Sequence, residues 1–430
     1  MFTRLHLNHF KSFEDAALPM GPFTMLVGTN ASGKSNIRDA FRFLHGIGRG
    51  YTPAEIIGGA YVGGALQWSG IRGGSLGIGF KGSPQFSLEI GLRVDYGGRE
   101  VDATYAVGVV APQVSIPYPW LESLSIPALG IQVLGPNPPP RDDDTDGLLV
   151  PIGPSSVGFR AYAPPSLSLA LPLVAQHHPH GPAPSPEMEL CYHTFNALAN
   201  MRFIDLDPLA MRGASLPGQD LLTERGENLS GVLHTICTDP QQKRTLLSWI
   251  QVLTPMDVVD LDFRQDLEGN VRVELIEGDG RRTSPASASD GTLRYLGLLA
   301  AMLGPESQSG AFYFLEEIEN GIHPTRLRLL VQLLEKASAR GVQVVATTHS
   351  PMVLTTLRPE SLEHAALTYR LEGRPETKVQ RIVDIGDARR VLQNNSAGDL
   401  MGAGWLENNM EFLSAEEEDV ANEDTGESAS

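Results

Sequence analysis

Gly28-Thr29-Asn30-Ala31-Ser32-Gly33-Lys34-Ser35 follows the apolar run Phe23-Thr24-Met25-Leu26-Val27 and leads into the helix-like stretch Asn36–Leu44. The octapeptide fits G-x-x-x-x-G-K-[ST] in full, in the strand–loop–helix setting that the pattern requires. Its glycines let successive backbone N–H groups turn inward around phosphate oxygens, and the helix N-terminus adds partial positive charge. In such a loop Gly28, Asn30, Ala31, Ser32, Gly33 and Asn36 surround the phosphates. Lys34 reaches the β- and γ-phosphates, and the Ser35 hydroxyl ligates Mg²⁺.

Two later strand ends carry chemistry that suits this loop. Phe312-Tyr313-Phe314-Leu315 is a buried-strand run ending in Glu316-Glu317. A carboxylate at a strand end beside a phosphate loop holds Mg²⁺, which assigns Glu316 to the metal. The next carboxylate orients and polarises the attacking water, which assigns Glu317 as the base. Val342–Ala346 is a further apolar run, and it leads through Thr347-Thr348 to His349-Ser350. A histidine there can sense the γ-phosphate, although a lone histidine after a strand is more often structural.

The surroundings fit one nucleotide-binding body. Phe2–Phe10 alternates like a strand, as do Phe86–Tyr96 and Val101–Val110. Gly46 to Gly82 is dense in glycine and reads as loops between short strands rather than a helix. More than half of the prolines lie between Pro112 and Pro186, which predicts an extended or partly disordered insertion. Helical character returns at Asn228–Ile236 and Pro240–Val252, with strands at Val258–Phe263 and Val271–Glu277. The last third alternates helix and strand through Thr292–Leu303, Ala311–Leu315, Pro324–Ala339 and Val342–Ala346, the rhythm of a parallel sheet covered on both faces. The expected divisions are an N-terminal lobe with the phosphate loop (1–110), the proline-rich insertion (111–190), a helical and strand segment (191–280), a C-terminal lobe (281–410) and an acidic tail (411–430).

Composition narrows the class. The chain has 430 residues and a formal net charge of −18. No apolar run reaches the ~18 residues of a membrane span, and two cysteines cannot build a disulfide framework, so a cytoplasmic location is expected. Seven of the carboxylates sit in Ser414–Ser430, which contains no Lys or Arg and reads as a disordered tail. An acidic body disfavours broad nucleic-acid contact without excluding a local groove. His177-His178-Pro179-His180 reads as low complexity rather than a metal site, and Asp142, Asp143, Asp144 and Asp146 lack the glycine and glutamate spacing of a Ca²⁺ loop. Trp405 fits an amphipathic packing helix.

Ser289-Asp290-Gly291-Thr292-Leu293-Arg294 opens a helix shortly before the acidic strand. Together with GTNASGKSN, FLEEIENGIHP and ATTHSP, in that family's order, it resembles the ABC-type ATPase heads of the SMC, RecF and OLD-like group. NHFKSF (Asn8–Phe13) and Gly226-Glu227-Asn228-Leu229 are also similar to it. The resemblance covers about residues 1–45 and 226–355 and fails across the proline-rich middle. It implies an α/β fold: an ABC-type P-loop head with a mixed or antiparallel N-terminal sheet and a parallel core sheet flanked by helices. It also implies ATP and Mg²⁺ as cofactors, and a head-to-tail homodimer in which Ser289 and Gly291 donate to the γ-phosphate in trans. Lys11 resembles the basic residue that approaches the nucleotide in these heads, and Asn320–Pro324 matches a segment at their interface.

The chain departs from the group in three ways. Glu316 stands where Asp is usual, the signature reads SDGT rather than SGGQ, and the expected glutamine has only Gln67 as a candidate. No long coiled coil is visible, and about eighty residues follow His349, too few for a fused nuclease. The reading is therefore a stand-alone ATPase that switches a separate effector or nuclease, as in bacterial antiphage systems. The alternatives are a RecF-like head that binds DNA directly and a scaffold that binds ATP with little hydrolysis.

Overall fold

In the computed structural model the residues described are 1–134, 148–151, 158–161, 169–177, 185–254, 256–305, 310–371, 373–392 and 396–404. The aspartate run, His178, His180, Trp405 and the acidic tail lie outside them. The chain divides into two compact units. One comprises Met1–Gly21, Gly28–Met201 and Ala366–Arg381, the other Pro22–Val27, Arg202–Ala365 and Ile382–Ser430.

The first unit is built on a six-stranded antiparallel sheet. Its order is Phe13–Pro19, Phe2–Phe10, Gln85–Tyr96, Arg99–Val110, Tyr118–Ile126 and Ile131–Leu134. Period-two patterning decides which face is covered: Phe86, Leu88, Ile90 and Leu92 are buried, while the residues between them are more exposed. The two long strands meet at Gly97-Gly98, both at positive φ, and pair from Tyr96 opposite Arg99. A two-residue turn of that hand matches strand twist and requires positive φ at both positions, which glycine adopts without strain. The helix Lys34–Gly48 is fixed to the sheet by aromatic packing, Phe86 meeting both Phe10 and Phe43 edge-on at 5.4 Å. Burial of one such ring contributes about 2 kcal/mol. Ala365–Tyr369 pairs antiparallel with Lys378–Arg381.

The second unit carries the parallel core. Its strands run in the order Met201–Ile204, Phe312–Leu315, Gln343–Thr348 and Phe23–Val27, and the last three pair in parallel. Every residue of those three strands is buried, as expected for strands covered on both faces. Leu327, Leu330, Val331 and Leu334 form the buried stripe of the helix Pro324–Ala339, which Pro324 starts without losing a hydrogen bond. An antiparallel sheet of Val258–Gln265, Val271–Glu277 and Arg282–Thr283 completes the unit.

Two stretches differ from expectation. Tyr118–Ile126 and Ile131–Leu134, inside the proline-rich 111–190, are full members of the antiparallel sheet. Pro119 falls near the start of its strand and Pro127 just beyond its end, where proline is tolerated. Within the glycine-dense stretch, Pro53–Gly58 is a helix. Thr52 and Glu55 cap it reciprocally, the Thr52 hydroxyl accepting from the Glu55 N–H and the Glu55 carboxylate from the Thr52 N–H.

Candidate nucleotide site

The phosphate loop belongs to the first unit. A Cβ at Gly28 would lie 2.4 Å from the carbonyl oxygen of Thr368 and 2.5 Å from Ser32 Oγ, so no side chain fits there. Ser32 Oγ and Thr368 Oγ1 are 2.8 Å apart, which anchors the loop's inner wall. Ala31 at φ +64° and Gly33 at φ +100° place two left-handed residues in the turn, leaving Thr29, Asn30 and Ala31 on an exposed crest. Lys34 is buried, and its ammonium donates to the carbonyls of Gly28 at 2.5 Å and Thr29 at 2.8 Å. The helix carrying Ser35 starts at Lys34, without an acidic residue in its first turn to oppose an anion.

Two residues expected at the nucleotide are engaged within this unit. Lys11, at φ +52°, forms an ion pair with Asp39 at 2.7 Å, with both side chains nearly buried. Asn36 Nδ2 donates to Ser12 Oγ at 2.8 Å. Arg72 was not legible in advance: its guanidinium donates to Asp39 Oδ2 and to the Ser35 carbonyl, both at 3.0 Å. One buried carboxylate on the loop's helix thus organises two cations. Gln67 is exposed on the strand Ala65–Trp68.

The acidic and histidine residues belong to the second unit. Parallel pairing puts the C-terminal ends of Phe23–Val27, Gln343–Thr348 and Phe312–Leu315 along one edge, and the next residues in the chain are Gly28, His349 and Glu316. The crevice beyond the C-terminal strand ends is where open α/β sheets bind ligands. The Glu316 N–H donates to the Ile204 carbonyl at 3.1 Å, and the Glu317 N–H to Thr347 Oγ1 at 2.9 Å. Glu317 holds φ +45°, a left-handed conformation for a residue with a Cβ, and its carboxylate accepts from Asn320 Nδ2. Glu319 Oε1 accepts from the His349 N–H. A small cleft beside these groups is lined by Leu206, Arg294, Leu298, Glu316, Glu317 and Asn320.

In the same unit, Ser289 caps the helix Asp290–Leu303, its hydroxyl accepting from the Thr292 N–H at 3.2 Å. Gly291 faces the Asn320–Pro324 segment so closely that a Cβ there would lie 2.5 Å from the Gly321 carbonyl oxygen.

A family profile described as "AAA domain, putative AbiEii toxin, Type IV TA system" matches residues 23–93 and 163–355, more than half of the chain. The chain belongs to this family. Its fold is the mixed α/β fold of an AAA domain, with a parallel core sheet running into the phosphate loop. Among solved structures, this AAA-domain chain is similar to an SMC head bound to the C-terminal winged-helix domain of ScpA, at 14% identity and TM-score 0.49, covering 88% of this chain and 97% of that one. It is also similar to an Smc head with an extended coiled coil bound to the C-terminal domain of ScpA, from Pyrococcus furiosus. That match has 13% identity and TM-score 0.49, covering 91% of this chain and 98% of the other. An SMC head domain from Thermotoga maritima matches at 13% identity and TM-score 0.40, with 89% and 98% covered. No curated protein matches the chain.

For this AAA-domain protein the donor chemistry fits Mg²⁺ with ATP. Serine hydroxyls and carboxylates are hard oxygen donors of the kind that Mg²⁺ takes. A metal shared between few protein oxygens and phosphate is the usual Mg²⁺ arrangement. Among the described residues, no helix is long and apolar enough to cross a membrane.

Proposed function

We propose that this protein binds ATP with Mg²⁺, closes head-to-tail with a second copy around two nucleotides, and hydrolyses them to switch a separate effector or nuclease. The observation that carries this reading is that Gly28, Glu316 and His349 each directly follow one of three adjacent parallel strands. Lys34 exchanges its Gly28 and Thr29 carbonyls for β- and γ-phosphate oxygens. Ser35 and Glu316 would hold the Mg²⁺, which would supply charge neutralisation at the phosphates. Glu317, oriented by Asn320 and Thr347, takes the proton of the attacking water, and His349 contacts the γ-phosphate. Ser289 and Gly291 of the second copy complete the γ-phosphate contacts, so nucleotide and dimer stabilise each other. A net charge of −18 favours a protein partner over broad nucleic-acid contact. The family's description as a putative toxin supports a setting in bacterial defence.

Lys34→Ala is expected to abolish ATP turnover; a wild-type rate removes the ATPase reading. Glu317→Gln is expected to retain ATP and accumulate as a dimer in light scattering. Failure to do so removes the sandwich.

A further inference from the structure

Arg212 sits 77 residues before Ser289, yet its guanidinium grips the loop that delivers that serine. Nη1 donates to the carbonyls of Pro285 and Ala286, both at 2.8 Å, and to that of Ala288 at 3.2 Å. Nη2 donates to Asp290 Oδ1 at 2.7 Å. Three carbonyls and a carboxylate on either side of Ser289 therefore converge on one planar cation. A guanidinium suits this geometry because its donors are fixed in a fork, which a lysine ammonium does not reproduce.

The grip has a rigid base. Arg212 ends the short turn Ala210–Arg212, and Met211 before it is fully buried. Met211 and Leu206 enter a notch in the signature helix at Gly297, where a Cβ would lie 2.7 Å from Met211 Cε and 2.8 Å from Leu206 Cδ1. Gly226 opens a second notch, its Cβ position 2.8 Å from Met211 Cγ. A glycine inside a helix costs about 1 kcal/mol relative to alanine, and here it admits the side chains that seat the turn. The turn is thus keyed to the same helix whose first residues its arginine holds.

We propose that Arg212 is the positioning residue for the signature loop. It fixes the Ser289 hydroxyl and the first N–H groups of the helix for the γ-phosphate of a nucleotide held by a second copy. It also neutralises Asp290, whose exposed carboxylate would otherwise repel that phosphate. The inference rests on the ATP-sandwich reading. It is distinct from nucleotide capture by the phosphate loop, which lies in the other unit.

The test uses the full chain carrying Glu317→Gln, with two measurements on each sample: binding of a fluorescent ATP analogue by the monomer at low protein concentration, and ATP-induced dimerisation by light scattering. Adding Arg212→Ala is expected to raise the protein concentration for half-dimerisation at least tenfold, while the monomer's affinity for the analogue stays within twofold. Arg212→Lys, which keeps the charge and loses the fork, is expected to recover less than half of that loss on a logarithmic scale. Unchanged dimerisation in Arg212→Ala overturns the inference alone. So does full recovery with lysine, or parallel loss of analogue binding, which marks a general folding role. Absence of an ATP-dependent dimer in the Glu317→Gln parent overturns the sandwich reading itself, and this inference with it.

Discussion

Glu319 Oε1 accepts a hydrogen bond from the His349 backbone N–H at 2.7 Å and lies 3.1 Å from Nδ1 of the same imidazole. With Nδ1–H facing the carboxylate, the ring's tautomer and orientation are set, which in the proposed reading would leave Nε2 for the γ-phosphate. Residues 317 to 320 thus serve two groups at once, since Asn320 holds Glu317 while Glu319 holds His349. Glu319→Gln is expected to lower kcat about tenfold, with no further loss in a His349→Ala background, because partners in one network couple. Additive losses in the double-mutant cycle would show that the two act separately.

Asp39 is nearly buried between Lys11 and Arg72. Its replacement by alanine leaves the buried Lys11 ammonium without a counter-charge, and breaking such a pair costs about 3 kcal/mol. Urea denaturation of Asp39→Ala is expected to show that loss, together with weaker ATP binding, because Arg72 also holds the Ser35 carbonyl.

Stability should also depend on pH through Glu122. Its carboxyl is fully buried, and desolvation pushes it above the ordinary value of 4.5, opposed by hydrogen bonds from the Leu171 and Ala170 N–H groups and the Tyr105 hydroxyl. The native state therefore holds this proton more tightly than the unfolded chain. The contribution is fully present below 4.5 and is lost as pH rises through the folded value. The urea midpoint of the wild type is expected to carry this fall with rising pH, and Glu122→Gln to lack it. Identical slopes in the two proteins would contradict the assignment.

Gly291 has a steric role within the chain. Gly291→Ala would drive a methyl to 2.5 Å from the Gly321 carbonyl oxygen. A thermal shift in the absence of nucleotide is expected to show a loss of about 1–3 kcal/mol, the range for overpacking. A mutant as stable as the wild type would leave nucleotide contact as the only reason for this glycine.

The elements that position the site were legible wherever a local rule governs them. Phe23–Val27, Val271–Glu277 and Pro324–Ala339 have the bounds that apolar runs and a helix-starting proline indicate. The order of strand, carboxylate pair and histidine was equally plain, because each sits within a few residues of its strand. Tyr118–Leu134 was hidden because proline density signals breaks, although Pro119 and Pro127 fall only near the strand's two ends. Arg72 and Arg212 were hidden for a different reason. Asp39 and Arg72 are 33 residues apart, and Arg212 and Asp290 are 78 apart. No periodicity links residues across such distances.

The left-handed backbone at Glu317 has a consequence for laboratory selection. Holding a Cβ-bearing residue there costs on the order of 1–3 kcal/mol, and glycine would adopt the same φ without that strain. Glu317→Gly would therefore ease the bend while discarding the carboxylate proposed as the base. A screen rewarding heat resistance alone would draw the chain toward that loss, so a thermostable variant should be assayed for turnover before it replaces the parent.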